Sequence, residues 1–89
     1  MLREQGYTCA ITERWNHFAK VRQDLFGFAD LLAIKPGEIL AVQTTTANHL
    51  ADHRRKILSK DHHRKWLEAG GRIQLHGWNK AKVKIQSLP

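Results

Sequence analysis

Cysteine is almost absent from this sequence. Cys9 stands alone, so no intrachain disulfide can form and no thiolate zinc site can be assembled. A single thiol fits a reducing cytoplasm. Long apolar runs are missing too: none approaches the ~20 residues of a membrane-spanning helix, and the N-terminus has no signal-peptide core. The expectation is a soluble chain with no membrane partner. Repeats, low-complexity tracts and a linker are also absent, so residues 1–89 read as one domain with a modest core, which a second subunit would help to stabilise. Acidic residues are scarce: eight Asp/Glu stand against fifteen Lys/Arg, for a net charge of +7 and a pI near 10.1. Such a balance favours a polyanion, because each neutralised phosphate releases counterions. The imbalance is uneven. Residues 1–53 hold five Lys/Arg and six Asp/Glu, whereas residues 54–89 hold ten and two.

What is present is a polar step on an apolar hairpin. Two short apolar runs flank Pro36-Gly37, turn chemistry that predicts a β-hairpin. If Lys35 pairs with Glu38, Asp30 falls directly opposite Gln43, and Thr45 joins them on the same face. That face continues through Leu32, Ile34, Ile39 and Ala41; the other holds Leu31, Ala33, Leu40 and Val42. Apolar residues on both sides predict a central hairpin covered on both faces. A carboxylate and an amide at its end carry a desolvation cost of about a few kcal/mol unless something binds them.

Around the hairpin, residues 2–5 predict the last turn of a helix closed by Gly6. Alternation predicts a first strand over residues 7–14, with Glu13 on its apolar-facing parity, either a member of the polar site or already past the core. Residues 16–27 show no clear period and read as a loop, from which Asp24 either reaches the site or holds the loop. Leu50, Ile57 and Leu58 are spaced as one face of a helix carrying Arg54, Arg55 and Lys56. A second short helix is expected from an Asp61 N-cap to Gly70-Gly71. Residues 72–78 and 82–85 alternate as two strands joined at Asn79-Lys80. His49 and His53 sit four apart on the expected first helix, but two ligands do not make a zinc site. Trp15, Trp66 and Trp78 suit base stacking, with core or dimer interface the favoured use. The element order gives an α/β fold with a mixed sheet and a helical crossover.

The stretches Leu2-Arg3-Glu4-Gln5-Gly6-Tyr7, Arg22 to Asp30, Gln43-Thr44-Thr45 and Gly70-Gly71-Arg72-Ile73 resemble, in order, the PD-(D/E)XK nuclease superfamily, nearest to archaeal Holliday-junction resolvases and small phage-type nucleases. The resemblance implies a small restriction-endonuclease-like core, a mixed β-sheet with a central hairpin flanked by helices and most of the N-terminal helix missing. It implies cytoplasmic action in a bacterial, archaeal or phage-infected cell. In that family a strand aspartate and a glutamate on the next strand hold a divalent metal, and a lysine two residues later assists the attacking water. Asp30 matches the aspartate and Gln43 the glutamate; Thr45 stands where the lysine belongs. A further glutamate on the preceding helix has no counterpart: either the chain is a truncated form, or Glu13 or Asp24 takes that role, or the metal site is incomplete. Lys35 cannot replace the lysine, because five strand residues place it roughly 16 Å away.

The function expected from this resemblance is a Mg²⁺- or Mn²⁺-dependent DNA endonuclease, with junction or branched DNA among its candidate substrates, acting as a homodimer. Asp30, Gln43 and Glu13 would hold the metal, Thr45 would orient water, and Lys20, Arg22, Arg54, Arg55, Lys56, Arg64 and Lys65 would grip phosphates. The alternatives are a DNA-binding module of the same fold with impaired chemistry, and an assembly protein whose basic face binds RNA.

Overall fold

The computed structural model describes residues 2–88, the side chain of Arg22 excepted. Its centre is a mixed five-stranded sheet built on the hairpin of β4 (Leu31–Lys35) and β5 (Glu38–Thr46). With β1 (Thr8–Ile11), β6 (Arg72–Asn79) and β7 (Lys82–Leu88), the strand order is β1-β4-β5-β6-β7. The register runs from Lys35 opposite Glu38 to Leu31 opposite Val42, as the apolar pattern predicts. Gly37 closes the turn at φ 77°, the left-handed conformation that the residue after a turn proline takes in a type II turn.

The chain leaves β5 through a 3₁₀ turn and two short helices, α1 (Leu50–Leu58) and α2 (His62–Glu68), and returns as β6 parallel to β5. Both helices cover one face of the sheet. Leu50 and Ile57 from α1, with the partly buried Trp66 and Leu67 from α2, pack on Ala41, Ile73 and Leu75, together with Phe28 and Leu88. Gly77 is where α1 comes closest: a Cβ there would stand 2.5 Å from Leu50 Cγ, so only glycine lets helix and strand meet. Asp61 occupies the N-cap position of α2 without a side-chain cap bond, and Gly70 ends that helical segment at φ 96°.

The opposite face carries Cys9, Leu31, Ala33, Leu40 and Val42, covered by Leu2 and Tyr7. Leu2 adjoins a 3₁₀ turn, Arg3–Gln5, closed by Gly6 at φ 91°, in keeping with the helical turn expected there. Tyr7 donates a hydrogen bond to Glu38, Arg72 pairs with Glu38 at 3.2 Å, and Lys35 lies 4.5 Å from the Tyr7 ring centre. This polar clasp ties the turn end of the hairpin to β6 and to the start of β1.

Three expectations need correction. The first strand stops at Ile11 rather than 14. The segment expected as a loop over 16–27 contains part of a separate ribbon, β2 (Arg14–Asn16) paired with β3 (Val21–Gln23). The hairpin is not covered throughout: Ile34 and Ile39, near its turn, lie beyond the reach of the short helices and are exposed. Of the tryptophans only Trp66 packs against the core, 6.4 Å edge-on from Phe28 and with Nε1 bonded to Arg72 O at 2.9 Å; Trp15 and Trp78 are exposed.

Candidate functional site

The β4–β5 ladder runs out at Leu31. One residue earlier the backbone slips: Asp30 N donates to Val42 O at 2.9 Å, while Asp30 O accepts from both Thr12 N at 2.8 Å and Glu13 N at 3.3 Å. The end of β1 is thereby drawn onto Asp30. The Asp30 side chain turns to β5, where its Oδ2 accepts from Thr44 N at 2.8 Å and Thr44 Oγ1 at 3.1 Å. Two donors to one oxygen fix the plane of the carboxylate and offset much of the cost of its burial.

Asp24 enters from the other end of the ribbon. Leu25 N and Ala29 O bond at 3.0 Å, and Gly27 N returns to Asp24 O at 3.0 Å, folding residues 24–29 into a tight loop that presents Asp24 beside Asp30. Gln43 Nε2 points to Asp24 Oδ2 at 3.5 Å, a long contact at the outer limit of a hydrogen bond. Carboxylate oxygens of Glu13, Asp24 and Asp30 lie within 4.8 Å of one another. The Asp24 carboxyl is pushed up from its ordinary 3.8 to about 6, first by burial, then by a hydrogen bond with Asp30 and by the charges of Asp30 and Glu13. Asp24 therefore carries its negative charge at a cost in the folded state.

Of these acids, Asp24 lines a cavity of about 300 Å³. Asp24, Gln43 and Phe28 form one wall; His53 and Lys56 from α1, Lys60 from the bend after it, and His62 from α2 form the other. Residues three to four apart on α1 share a face, which brings His53 and Lys56 together. Carboxylate and amide oxygens suit a hard divalent cation, and the cationic wall suits an anion.

Of the residues singled out from the sequence, Asp30 and Gln43 are buried; Asp30, Glu13 and Asp24, the last two being the candidates for the missing glutamate, form the cluster, and Gln43 lies beside Asp24. The paired register ends at Leu31 opposite Val42; the Asp30 carboxylate bonds Thr44, and Thr45 pairs with Gly77 across β5 and β6. Among the cations, Lys56 lines the cavity; Arg54 is half-buried on α1, and Lys65 is exposed on α2. Arg55 pairs with Asp52 at 3.1 Å, and Arg64 with Asp61 at 3.3 Å and Glu68 at 3.9 Å. Exposed pairs of this kind contribute at most about 1 kcal/mol and break readily for a phosphate. Lys20 is exposed in the ribbon loop, and the side chain of Arg22 lies outside the described residues.

Sequence reasoning missed Thr44, Lys60, His53 and His62 as site residues. The helix spacing His53-Lys56 was a usable signal; Lys60 and His62 depend on the bend between the helices. His49 and His53 do not pair on a metal: His49 Nδ1 bonds Thr46 Oγ1 at 2.7 Å, and the converging ligand cluster among the described residues contains no histidine. No protein-family model matches this chain, and no curated protein matches it at a significant level.

Proposed function

We propose that the chain is a divalent-metal-dependent DNA endonuclease with a restriction-endonuclease-like core, hydrolysing phosphodiester bonds in the cavity between β5 and α1. The observation that carries this reading is the facing of two chemistries across about 300 Å³: Asp24 and Gln43, next to Asp30 and Glu13, on one side and Lys56 and Lys60 on the other. Phosphodiester hydrolysis needs both, a metal cradle and separate cations for the phosphate oxygens.

The donor set fits Mg²⁺ or Mn²⁺: Asp30, Asp24 and Glu13 would hold it, with the Gln43 side-chain oxygen as a further neutral ligand. When bound, such an ion polarises a phosphate oxygen and lowers the pKa of water. The remaining work belongs to the protein. Thr44 holds the Asp30 carboxylate in one plane through its amide and hydroxyl. Phe28, buried beside the cavity, keeps that wall apolar and strengthens the charge interactions there. Lys56 and Lys60 bind the non-bridging oxygens and offset the charge that builds on them during attack. They supply from α1 and the bend after it the cation that Thr45 cannot.

The reading also includes a homodimer. Ile11, Trp78 and Ile85 leave apolar side chains exposed on the sheet face away from the helices, a surface that a second copy would cover.

The test is a cleavage panel of branched, flapped, nicked and plain duplex DNA with Mg²⁺, Mn²⁺ or EDTA. Cleavage that needs the metal and disappears in Asp30→Ala, with DNA binding retained, is the expected result. Cleavage that survives Asp30→Ala sinks the assignment. Binding with no turnover under any condition favours instead a DNA-binding module of the same fold, the reading that Thr45 in place of a lysine supports.

A further inference from the structure

The ribbon β2–β3 grows directly out of the acidic cluster. Glu13 is the residue immediately before β2 and Asp24 the residue immediately after β3, so the two ends of the ribbon are two of the three clustered carboxylates. The ribbon pairs only with itself, Arg14 opposite Gln23 through Asn16 opposite Val21, and forms a sheet separate from the five-stranded one. Such ribbons are marginal unless something packs on them.

Its tip is built to hold an aromatic ring in the open. Asn16 Oδ1 accepts from Phe18 N at 3.0 Å and Ala19 N at 3.1 Å, and Lys20 adopts φ 53° to bring the chain back. With the loop fixed this way, Phe18 is 101% exposed, and Trp15 and Val21 on the two strands are about half exposed at 51% and 48%. Residues 14–23 contain no acid and include the basic residues Arg14, His17 and Lys20.

We propose that this ribbon is a wedge that stacks Phe18 on unpaired bases of a nucleic acid whose backbone lies in the adjoining cavity. This deepens the nuclease reading and rests on it for the position of the backbone. Three strand residues, Arg14–Asn16, and then His17 of the turn separate Glu13 from Phe18, a reach of roughly 10–13 Å. At about 3.4 Å per nucleotide, the ring meets bases about three to four nucleotides from the phosphate in the cavity. Stacking on an aromatic face is indifferent to sequence, and unpaired bases accept a wedge without the cost of opening a duplex. The substrate class is therefore DNA with a single-stranded or branched segment next to a duplex. A protein partner would find the apolar tip, but the basic, acid-free flanks and continuity with the cation-lined cavity favour a polyanion.

Binding is measured in EDTA, so neither metal nor turnover enters. The probes are a forked DNA carrying 2-aminopurine in its single-stranded arm and a blunt duplex of equal length. Wild type should bind the fork more tightly and change the 2-aminopurine emission. Phe18→Ala should weaken fork binding by about tenfold, leave duplex binding within about twofold and abolish the emission change. Phe18→Trp should restore all three, whereas Phe18→Leu should not. Circular dichroism checks that each variant folds, as expected for a fully exposed position. Equal fork and duplex preference in wild type and Phe18→Ala overturns the proposal, as does a Phe18→Ala effect confined to self-association. If Asp30-dependent cleavage persists while Phe18 proves indifferent, only the wedge fails; if Phe18 governs fork binding but no metal supports cleavage, only the nuclease reading fails.

Discussion

Replacing Asp24 with asparagine should make the metal-free protein more stable, not less. At pH 7.5 Asp24 is ionised beside Asp30 and Glu13, yet its carboxyl titrates near 6 against an ordinary 3.8. The difference is nominally about 3 kcal/mol of unfavourable interaction in the folded state. Asp24 is only half-buried, and solvent screening reduces this to about 1 kcal/mol. Asp24→Asn keeps an oxygen that can accept from Gln43 and removes the charge. The expected gain is about 1 kcal/mol, or about 4–8 °C in Tm for a domain of this size.

The pH dependence separates this cause from others. Between pH 6 and 4 the folded state binds the Asp24 proton more tightly than the unfolded chain, so this contribution to stability rises as pH falls. His76 works in the opposite sense. Burial lowers its pKa, the unfolded chain binds its proton more tightly, and stability is lost as pH falls below about 6.5. The two overlap, so the informative quantity is the Tm of Asp24→Asn minus that of wild type, in which His76 cancels. That difference should be largest at pH 7.5, shrink as pH falls through 6 and vanish only below about pH 3.8. Adding Mg²⁺ or Mn²⁺ should stabilise wild type, by about 1.4 kcal/mol at ten times the dissociation constant, and leave Asp24→Asn almost unmoved. An Asp24→Asn protein that melts at or below wild type at pH 7.5, with no convergence at low pH, refutes the claim of mutual repulsion in the cluster.

The remaining predictions address its surroundings. Lys56→Ala should lower the single-turnover cleavage rate by about 100-fold while shifting Tm little, and Lys56→Ala with Lys60→Ala should lower it further; an unchanged rate in the double variant removes the lysine wall from the mechanism. Thr44→Val keeps the amide bond to Asp30 but loses the hydroxyl, and should destabilise by about 1 kcal/mol and slow cleavage about tenfold, measured by urea melts and single-turnover rates. Gly77→Ala should cost about 1–3 kcal/mol in the same melts, because its Cβ would press on Leu50.

The hairpin register was legible because two signals agreed: Pro36-Gly37 set the turn, and the apolar runs on both sides tolerate only a pairing that keeps Leu40 and Val42 on the face of Ala33 and Leu31. The course of Asp30 was not legible. Its departure from the ladder is caused by the amides of Thr12 and Glu13 converging on its carbonyl, a contact 17 or more residues away that no local pattern announces. The β2–β3 ribbon was missed for a related reason: its turn uses neither glycine nor proline but an asparagine side chain and a left-handed lysine. Trp15 and Val21 carried strand propensity, but segments too short to show alternation over several residues read as loop. Ile34 and Ile39 misled in the other direction, since an apolar pattern records what can be covered and not how far two short helices extend.

The charge arrangement ties these pieces together. In a chain of net charge +7, an acidic group near a lysine ordinarily forms an ion pair and titrates low. Asp24 shares a cavity with Lys56 and Lys60 and yet titrates high, and the causes of its shift are burial and the two neighbouring acids, with no cation among them. Among the described residues neither lysine forms an ion pair with Asp24. Side chains as long as lysine would relax onto the acids if folding alone were at stake, and the Arg55–Asp52 and Arg64–Asp61 pairs show that neighbouring charges on α1 and α2 do meet. Keeping opposite charges apart costs stability, and a dianionic or monoanionic group between them, with a cation on the acidic side, recovers it at both walls. A phosphodiester backbone is the ligand we propose for both walls.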